Sequence, residues 1–165
     1  MEHEEYGQSF AVTVTRIDGQ WMVRAFDDDF SSLQTSVRAV RALRSEGPAF
    51  ALLCVDDDYF VIVRPTPNGI QALLSDATMA VDDDFAAEVL TELDAEIPDL
   101  DPEELDDVDG WPDGDFELLA DIGLSEEVLG VIADDEDLWP SQQLLRVAEE
   151  LGFDEELLDV TGIDD

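Results

Sequence analysis

Negative charge is the feature that most constrains the fold of this chain. Forty-four side chains are acidic and seven are basic, all of them arginine, so the formal net charge is −37. Two like charges about 7 Å apart in water repel by roughly 0.6 kcal/mol. A compact state that gathers many such pairs is strained unless salt or a partner screens them. Nucleic acids and anionic membranes are themselves negatively charged. We therefore expect neither to bind directly, and we expect the partner to be a basic protein surface.

The charge is distributed unevenly along the chain. Residues 1–81 hold six arginines and twelve acidic residues, a net charge of −6. Residues 82–165 hold one arginine, Arg146, and thirty-two acidic residues, a net charge of −31. General adaptation to salt would acidify the whole surface. This asymmetry instead predicts an acidic appendage with a role of its own.

The first 93 residues have the pattern of an α+β domain. Hydrophobic residues make up 45% of the chain, enough for a core. Alternating apolar residues predict strands near 10–15, 20–26, 49–55, 59–63 and 70–74. Asp18-Gly19 indicates a hairpin turn. One helix is predicted to start at a Ser31 cap and to end at Gly47-Pro48. A second helix is predicted to start after residues 82–84. The order ββαβββα predicts a mostly antiparallel five-stranded sheet with helices on one face.

The rest of the chain divides into two acidic segments. Half of residues 94–115 are acidic and none is basic, and three prolines and two glycines interrupt them, which predicts a linker with at most one short helical turn after Asp101. Residues 122–131 are echoed by 151–160. In each copy a glycine ends one helix, and Ser125 or Asp154 is expected to cap the next. We therefore predict a small helical unit over residues 116–165, packed on the sheet domain or on a partner.

The sequence offers no set of residues for catalysis. Nucleophilic catalysis needs a base beside a nucleophile, but the only histidine is His3 and the only cysteine is Cys54. Cys54 lies in an apolar run and is predicted to be a small buried hydrophobe. No glycine loop for phosphate and no zinc-ligand cluster is present. We therefore predict a protein that is not an enzyme and has no cofactor.

Carboxylates leave one metal alternative open. Three aspartate triplets, at 27–29, 56–58 and 82–84, fall at predicted turns or helix starts, where aspartate is common without any metal. Candidate ligands for a divalent cation are Asp27, Asp29, Asp56 and Asp58. No EF-hand register fits the acidic linker.

Arginines recur every third residue on the first predicted helix. Arg38, Arg41 and Arg44 form the only basic stripe and are candidates for binding an anion, or for pairing with the acidic tail. A homodimer is also compatible with a domain of this kind.

Two tryptophans stand in acidic loops that contain proline. Aromatic residues in such loops often anchor interfaces, although they can equally fix the helical unit to the sheet. The candidate partner-binding residues are Leu105, Asp106, Asp107, Trp111, Asp134, Asp135, Glu136, Asp137 and Trp139. Trp21, which alternates with Val23, is predicted to lie in the core.

The start of the chain is acidic and polar, unlike a signal peptide. No apolar stretch approaches the roughly 20 residues that span a bilayer. We therefore expect a cytoplasmic protein with no membrane partner.

Several segments resemble the actinobacterial tRNA adenosine deaminase-associated proteins. They are residues 19–26 (GQWMVRAF), 50–65 (FALLCVDDDYFVIVRP), 73–90 and 118–124 (LLADIGL). The resemblance implies an association with an enzyme that deaminates adenosine in tRNA, and it supplies no catalytic residues. The zinc deaminase signature, His-x-Glu with a later Pro-Cys-x-x-Cys, is absent, so this chain is not itself that deaminase.

These observations favour an acidic accessory protein that contacts a basic surface, with a tRNA adenosine deaminase as the partner that the resemblance implies. Two alternatives stay open. One is a nucleic-acid mimic that inhibits another protein, and the other is a carboxylate-based protein that binds divalent metals.

Overall fold

A computed structural model describes residues 9–28, 30–135 and 137–162, except for the side chain of Asp106. The strands are β1 (Phe10–Ile17), β2 (Gln20–Ala25), β3 (Ala49–Val55), β4 (Tyr59–Thr66), β5 (Gly69–Leu74) and β6 (Asp113–Gly114). The α-helices are α1 (Leu33–Ala42), α2 (Asp84–Glu92), α3 (Glu126–Ala133), α4 (Pro140–Leu151) and α5 (Asp154–Thr161). Short 3₁₀ helices cover Ala77–Val81, Pro102–Asp107 and Ala120–Ile122.

The strands form one antiparallel sheet in the order β2-β1-β3-β4-β5-β6. The predicted α+β class and antiparallel sheet are confirmed. The predicted number of five strands is one too low, because β6 adds two residues beside Leu73 and Leu74. A strand of two residues is too short to show an alternating pattern in the sequence, and its backbone is paired with β5.

Helices cover both faces of the sheet. Alternate strand residues such as Leu53 and Val61 pack against α1 and α2 in one core. The intervening residues, such as Leu52 and Ile62, pack against α3, α4 and α5 in a second core. Because both faces are covered, β3 is almost wholly buried, as strands covered on both sides are. The C-terminal helices therefore pack on the sheet. The predicted boundaries at residues 93 and 115 stay a prediction.

Three predicted helix ends shift along the chain. Ser32, not Ser31, caps α1, accepting a hydrogen bond from the Gln34 backbone N–H (3.2 Å). The same helix ends at Ala42 instead of Gly47, since Arg44 has a φ of +48°. The residue that caps α5 is Phe153, and the predicted Asp154 is its first residue. Ser125 caps α3 as predicted.

Candidate functional site

A cavity of about 300 Å³ opens where the β3–β4 and β5 ends of the sheet meet residues 108–112 and the α3–α4 connection. Five carboxylates contribute to its wall, and none of its described lining residues is basic. We call this cavity the acidic groove, and its five carboxylates are Asp58, Asp76, Asp109, Asp134 and Asp135.

A second recess, of about 540 Å³, continues the acidic groove. It shares Asp58, Leu138 and Pro140 with the groove and adds Asp57, Asp137 and Trp139. The Trp139 side chain is 61% exposed although it is large and apolar. A continuous acidic surface with one exposed aromatic ring at its rim therefore occupies this end of the molecule.

Asp57 fixes the β3–β4 turn against the first turn of α4. Asp56 and Asp57 both have a φ of +54°, a conformation that aspartate tolerates better than most residues. This turn presents the buried Asp57 carboxylate to Ser141, whose backbone N–H (2.8 Å) and hydroxyl (3.2 Å) both donate to it. The carboxylate also lies at the positive end of the α4 dipole. The two walls of the second recess are thereby held together.

The α3–α4 connection is held by the buried side chain of Gln143. Its amide donates to the carbonyls of Ile132 (2.8 Å), Ala133 (3.1 Å) and Asp135 (3.3 Å). Two of these carbonyls belong to the last turn of α3, where carbonyls have no partner within the helix, and the third lies just beyond it. Asp135 also accepts a hydrogen bond from the backbone N–H of Asp137 (3.0 Å). The carboxylates on this wall therefore stand on an ordered backbone.

Residues 108–115 form the opposite wall and are tied to β5 and the segment after it. The Trp111 carbonyl accepts a hydrogen bond from the Ala77 backbone N–H (2.7 Å). Asp115 exchanges two hydrogen bonds with the Ala72 backbone, at 2.8 and 3.2 Å. Gly110 passes so close to Asp76 that a Cβ atom there would overlap the carboxylate. A larger residue at position 110 would displace the Asp76 carboxylate, which accepts hydrogen bonds from the Thr78 backbone N–H and hydroxyl.

Burial and neighbouring carboxylates shift the pKa values of two residues at the end of the β3–β4 turn. Partial burial raises the pKa of Asp58 above its ordinary value, and the charges of Asp56, Asp83 and Asp57 add to the effect. Burial likewise raises the pKa of Tyr59, whose hydroxyl donates to Asp83 (3.2 Å). A basic group of a partner beside Asp58 would favour its ionised form and so offset this rise in pKa.

The structure brings together some of the predicted partner-binding residues and separates others. Asp134, Asp135, Asp137 and Trp139 meet at the groove and its recess. Leu105 and Asp107 lie in the 3₁₀ helix Pro102–Asp107 and are not lining residues, although Asp107 precedes the lining residue Val108.

Trp111 is 41% exposed and sits between two lining residues. Glu136 and the side chain of Asp106 lie outside the described residues.

Sequence reasoning missed Asp57, Asp76 and Asp109 as parts of this surface and proposed Asp58 only as a metal ligand. The groove joins segments from the middle and the end of the chain. For the residues that sequence reasoning missed, the one local signal was the aspartate triplet at 56–58, which contains Asp57.

The metal candidates do not assemble into a site in the described part of the chain. Asp29 lies outside that part, and Asp27 is exposed. Asp56 is bonded to Ser9, whose hydroxyl donates to its carboxylate (3.0 Å) and accepts from its backbone N–H (2.8 Å). Among the described residues, no group of three or more histidine, cysteine, aspartate or glutamate side chains is arranged to hold a metal ion.

The arginine stripe is divided by the structure. Arg41 and Arg44 line a cavity of about 580 Å³ on another part of the surface, together with Arg64. Arg38 is exposed on α1 and does not line it. We call the cavity that Arg41, Arg44 and Arg64 line the arginine cavity.

Cys54 is fully buried in β3, as predicted. Burial is the largest cause that raises the pKa of its thiol, and the neighbouring Asp57 raises it further. A thiol in this setting is not a ready nucleophile.

The predicted core residue Trp21 is half-buried and packs against Phe153, with ring centroids 5.0 Å apart. Within the described ranges, no helix is long and apolar enough to cross a membrane.

Comparison with known proteins identifies relatives of this chain. No solved structure matches it. It is similar to Protein Rv3753c of Mycobacterium tuberculosis, with 52% identity over 149 residues that cover 90% of this chain and 84% of that protein. The family described as Rv3753c-like tRNA adenosine deaminase-associated protein matches residues 9–154. This chain therefore belongs to the Rv3753c-like tRNA adenosine deaminase-associated protein family.

Proposed function

We propose that this protein is a non-enzymatic accessory protein that binds a basic surface of a tRNA adenosine deaminase through the acidic groove. The observation that carries the proposal is the groove itself, with five aspartates and no described basic lining residue. The family description supplies the class of partner. An enzyme that binds tRNA needs a basic surface to meet phosphate groups. Such an accessory protein would work in the cytoplasm with its partner.

The groove has the features that favour protein binding. Its aspartates would attract a basic partner and raise the rate of association. Exposed Trp139 at the rim offers the kind of aromatic anchor on which interface energy concentrates. The hydrogen bonds of Asp57 and Gln143 hold the walls in place before binding, which reduces the ordering that binding requires.

The absence of an activity of its own is part of the proposal. Cys54 is buried beside a carboxylate, and the only histidine lies outside the described residues. Hence no nucleophile paired with a histidine base can be built from the described residues.

Biolayer interferometry tests this function, with the purified tRNA adenosine deaminase from the same genome immobilised on the sensor. We expect binding that weakens steeply between about 50 and 200 mM salt and that tRNA competes away. Trp139→Ala should weaken binding roughly thirtyfold. The matched control is Val131→Ala, which truncates an exposed apolar side chain on α3 outside both recesses.

Two results would contradict the proposal. One is no binding at low salt, and the other is an equal loss in the Trp139→Ala and Val131→Ala variants. Equal affinity for several unrelated RNA-binding proteins would favour the nucleic-acid mimic instead. Heat from calorimetric titration with calcium, magnesium or manganese, beyond weak screening, would favour the metal-binding alternative.

A further inference from the structure

The arginine cavity is a second concave site, on a part of the surface that the proposed function does not use. The C-terminal end of α1, the connection to β3 and the β4–β5 turn line this open cavity, and its volume is about 580 Å³. Pockets for small molecules commonly span roughly 300–1,000 Å³. The cavity is therefore large enough for a metabolite-sized ligand.

Positive charge is concentrated in this cavity to an extent unexpected for such an acidic chain. Arg41, Arg44 and Arg64 are three of only seven basic residues. Glu46 is the one carboxylate among the described lining residues. Within the residues that the structure describes, neither Arg41 nor Arg44 forms a salt bridge, although the chain carries 44 acidic side chains. Both side chains are exposed, so their guanidinium groups are accessible to a ligand.

Arg64 is held in place by the C-terminal part of the chain. Its guanidinium donates to both carboxylate oxygens of Asp121, at 2.6 and 3.0 Å, and to the carbonyl of Leu118 at 2.6 Å. The hydrogen bond from Arg64 is the largest cause that lowers the pKa of Asp121. Because Asp121 balances the charge of Arg64, the unbalanced positive charge of the cavity comes from Arg41 and Arg44.

The backbone around the cavity is closely fixed. Arg44 has a left-handed φ of +48°, which is uncommon for a residue other than glycine. Ser45 and Gly47 exchange two hydrogen bonds of 3.2 Å. Gly47 passes so close to the Arg16 carbonyl that a Cβ atom there would overlap it. The wall that carries Arg44 is therefore specified before any ligand binds.

We propose that the arginine cavity binds a small organic phosphate. Arginine forms paired, charge-assisted hydrogen bonds with phosphate oxygens, while Pro48 and Pro65 give part of the wall an apolar surface. A long nucleic acid is disfavoured because it would extend over the rest of a molecule with a net charge of −37. A small ligand avoids most of that repulsion, because charges beyond about 8 Å are screened at physiological ionic strength.

Isothermal titration calorimetry of the full chain tests this site. The probes are adenosine 5′-monophosphate, ribose 5-phosphate, inorganic phosphate, and adenosine, which has no phosphate. Binding of either organic phosphate, with none by adenosine, is the expected result. Binding by inorganic phosphate alone would overturn the claim that the ligand is an organic phosphate. No heat from any phosphate at about 10 mM would mean a Kd far above 1 mM and would overturn the whole proposal.

Variants locate the site and separate it from the acidic groove. We expect Arg41→Gln and Arg44→Gln each to weaken phosphate binding roughly tenfold. Arg38→Gln removes the same charge from α1, the helix that carries Arg41, but outside the cavity, and should change affinity less than twofold. Equal losses in all three would show that the ligand senses only net charge, which refutes the site. Binding to the deaminase should be unchanged in the cavity variants, so this inference and the proposed function can fail independently.

Discussion

Replacing Asp57 with alanine should lower the free energy of unfolding more than any other single change in the aspartate triplet at 56–58. Asp57 is only 8% exposed. Its carboxylate accepts the backbone N–H and the hydroxyl of Ser141, which is itself buried. Removing the carboxylate leaves the Ser141 N–H at the start of α4 without its partner and in little contact with water.

The expected loss follows from these contacts. A hydrogen bond to a charged group contributes about 1.5–3 kcal/mol, and the charge at the N-terminus of a helix adds about 0.3–1 kcal/mol. The variant should therefore lose about 3 kcal/mol. For a chain of this size, that corresponds to a fall in Tm of roughly 6–12 °C. Asp57→Asn keeps an oxygen acceptor but not the charge, so it should lose about 1 kcal/mol.

The assay is urea unfolding followed by circular dichroism and by tryptophan fluorescence. Asp56→Ala is the matched control, because Asp56 shares the φ of +54° and the same turn but is exposed, and among the described residues its carboxylate accepts only the hydroxyl of exposed Ser9. Backbone strain introduced by alanine is then common to both variants and cancels in the comparison. If Asp57→Ala loses no more stability than Asp56→Ala, Asp57 does not fix the turn to α4, and the reasoning is refuted.

Three further outcomes are expected. Asp58→Asn should raise the free energy of unfolding at pH 7, with a gain that shrinks toward pH 4. The pKa of Asp58 is higher in the folded chain than in the unfolded chain, so ionisation of Asp58 at higher pH destabilises the fold. An equal gain at pH 7 and pH 4 in urea unfolding would contradict this. Gly110→Ala should lower stability by about 1–3 kcal/mol through overlap with Asp76. Gly130→Ala, whose Cβ atom would only make an ordinary contact with Phe116 at 3.9 Å, should raise stability by about 0.5–1 kcal/mol. The reverse order in thermal unfolding would contradict the structure. Raising sodium chloride from about 20 to about 300 mM should raise Tm by screening like charges, and a fall in Tm would show that attraction, not repulsion, dominates the charged surface.

Local signals predicted the elements whose conformation is set within a few residues. The Asp18-Gly19 turn is present with φ values of +54° and +79°, and Ile17 pairs with Gln20 across it. Such a turn depends on the two residues themselves. The short turn after Asp101 also forms, since the backbone N–H of that residue donates to Glu104 (2.8 Å).

Elements that depend on distant partners were predicted less well. The end of α1 was placed too late because helical spacing continues through Arg44, whereas the chain turns there to build the arginine cavity. The sixth strand exists only beside β5.

The candidate site was half visible in the sequence. The acidic α3–α4 connection and Trp139 were predicted, because their charge and exposed aromatic ring are local features. The Asp57–Ser141 contact joins residues 84 positions apart, and no periodicity reports it. Asp76 becomes part of the groove only because Gly110 approaches it.

The most direct test of the acidic groove compares two variants of equal net charge for their affinity for the deaminase. Both change four carboxylates to amides, and all four positions in the control are exposed residues on α3 and α5. The groove variant carries Asp→Asn at Asp58, Asp109, Asp134 and Asp135, and the control carries Glu→Gln at Glu126, Glu127, Glu155 and Glu156.

We expect the groove variant to bind the deaminase at least roughly thirtyfold more weakly than the unmodified protein, and the control to stay within about threefold. Equal loss in both variants would show that the partner senses only net charge, and no loss in either would show that the groove is not where the deaminase binds.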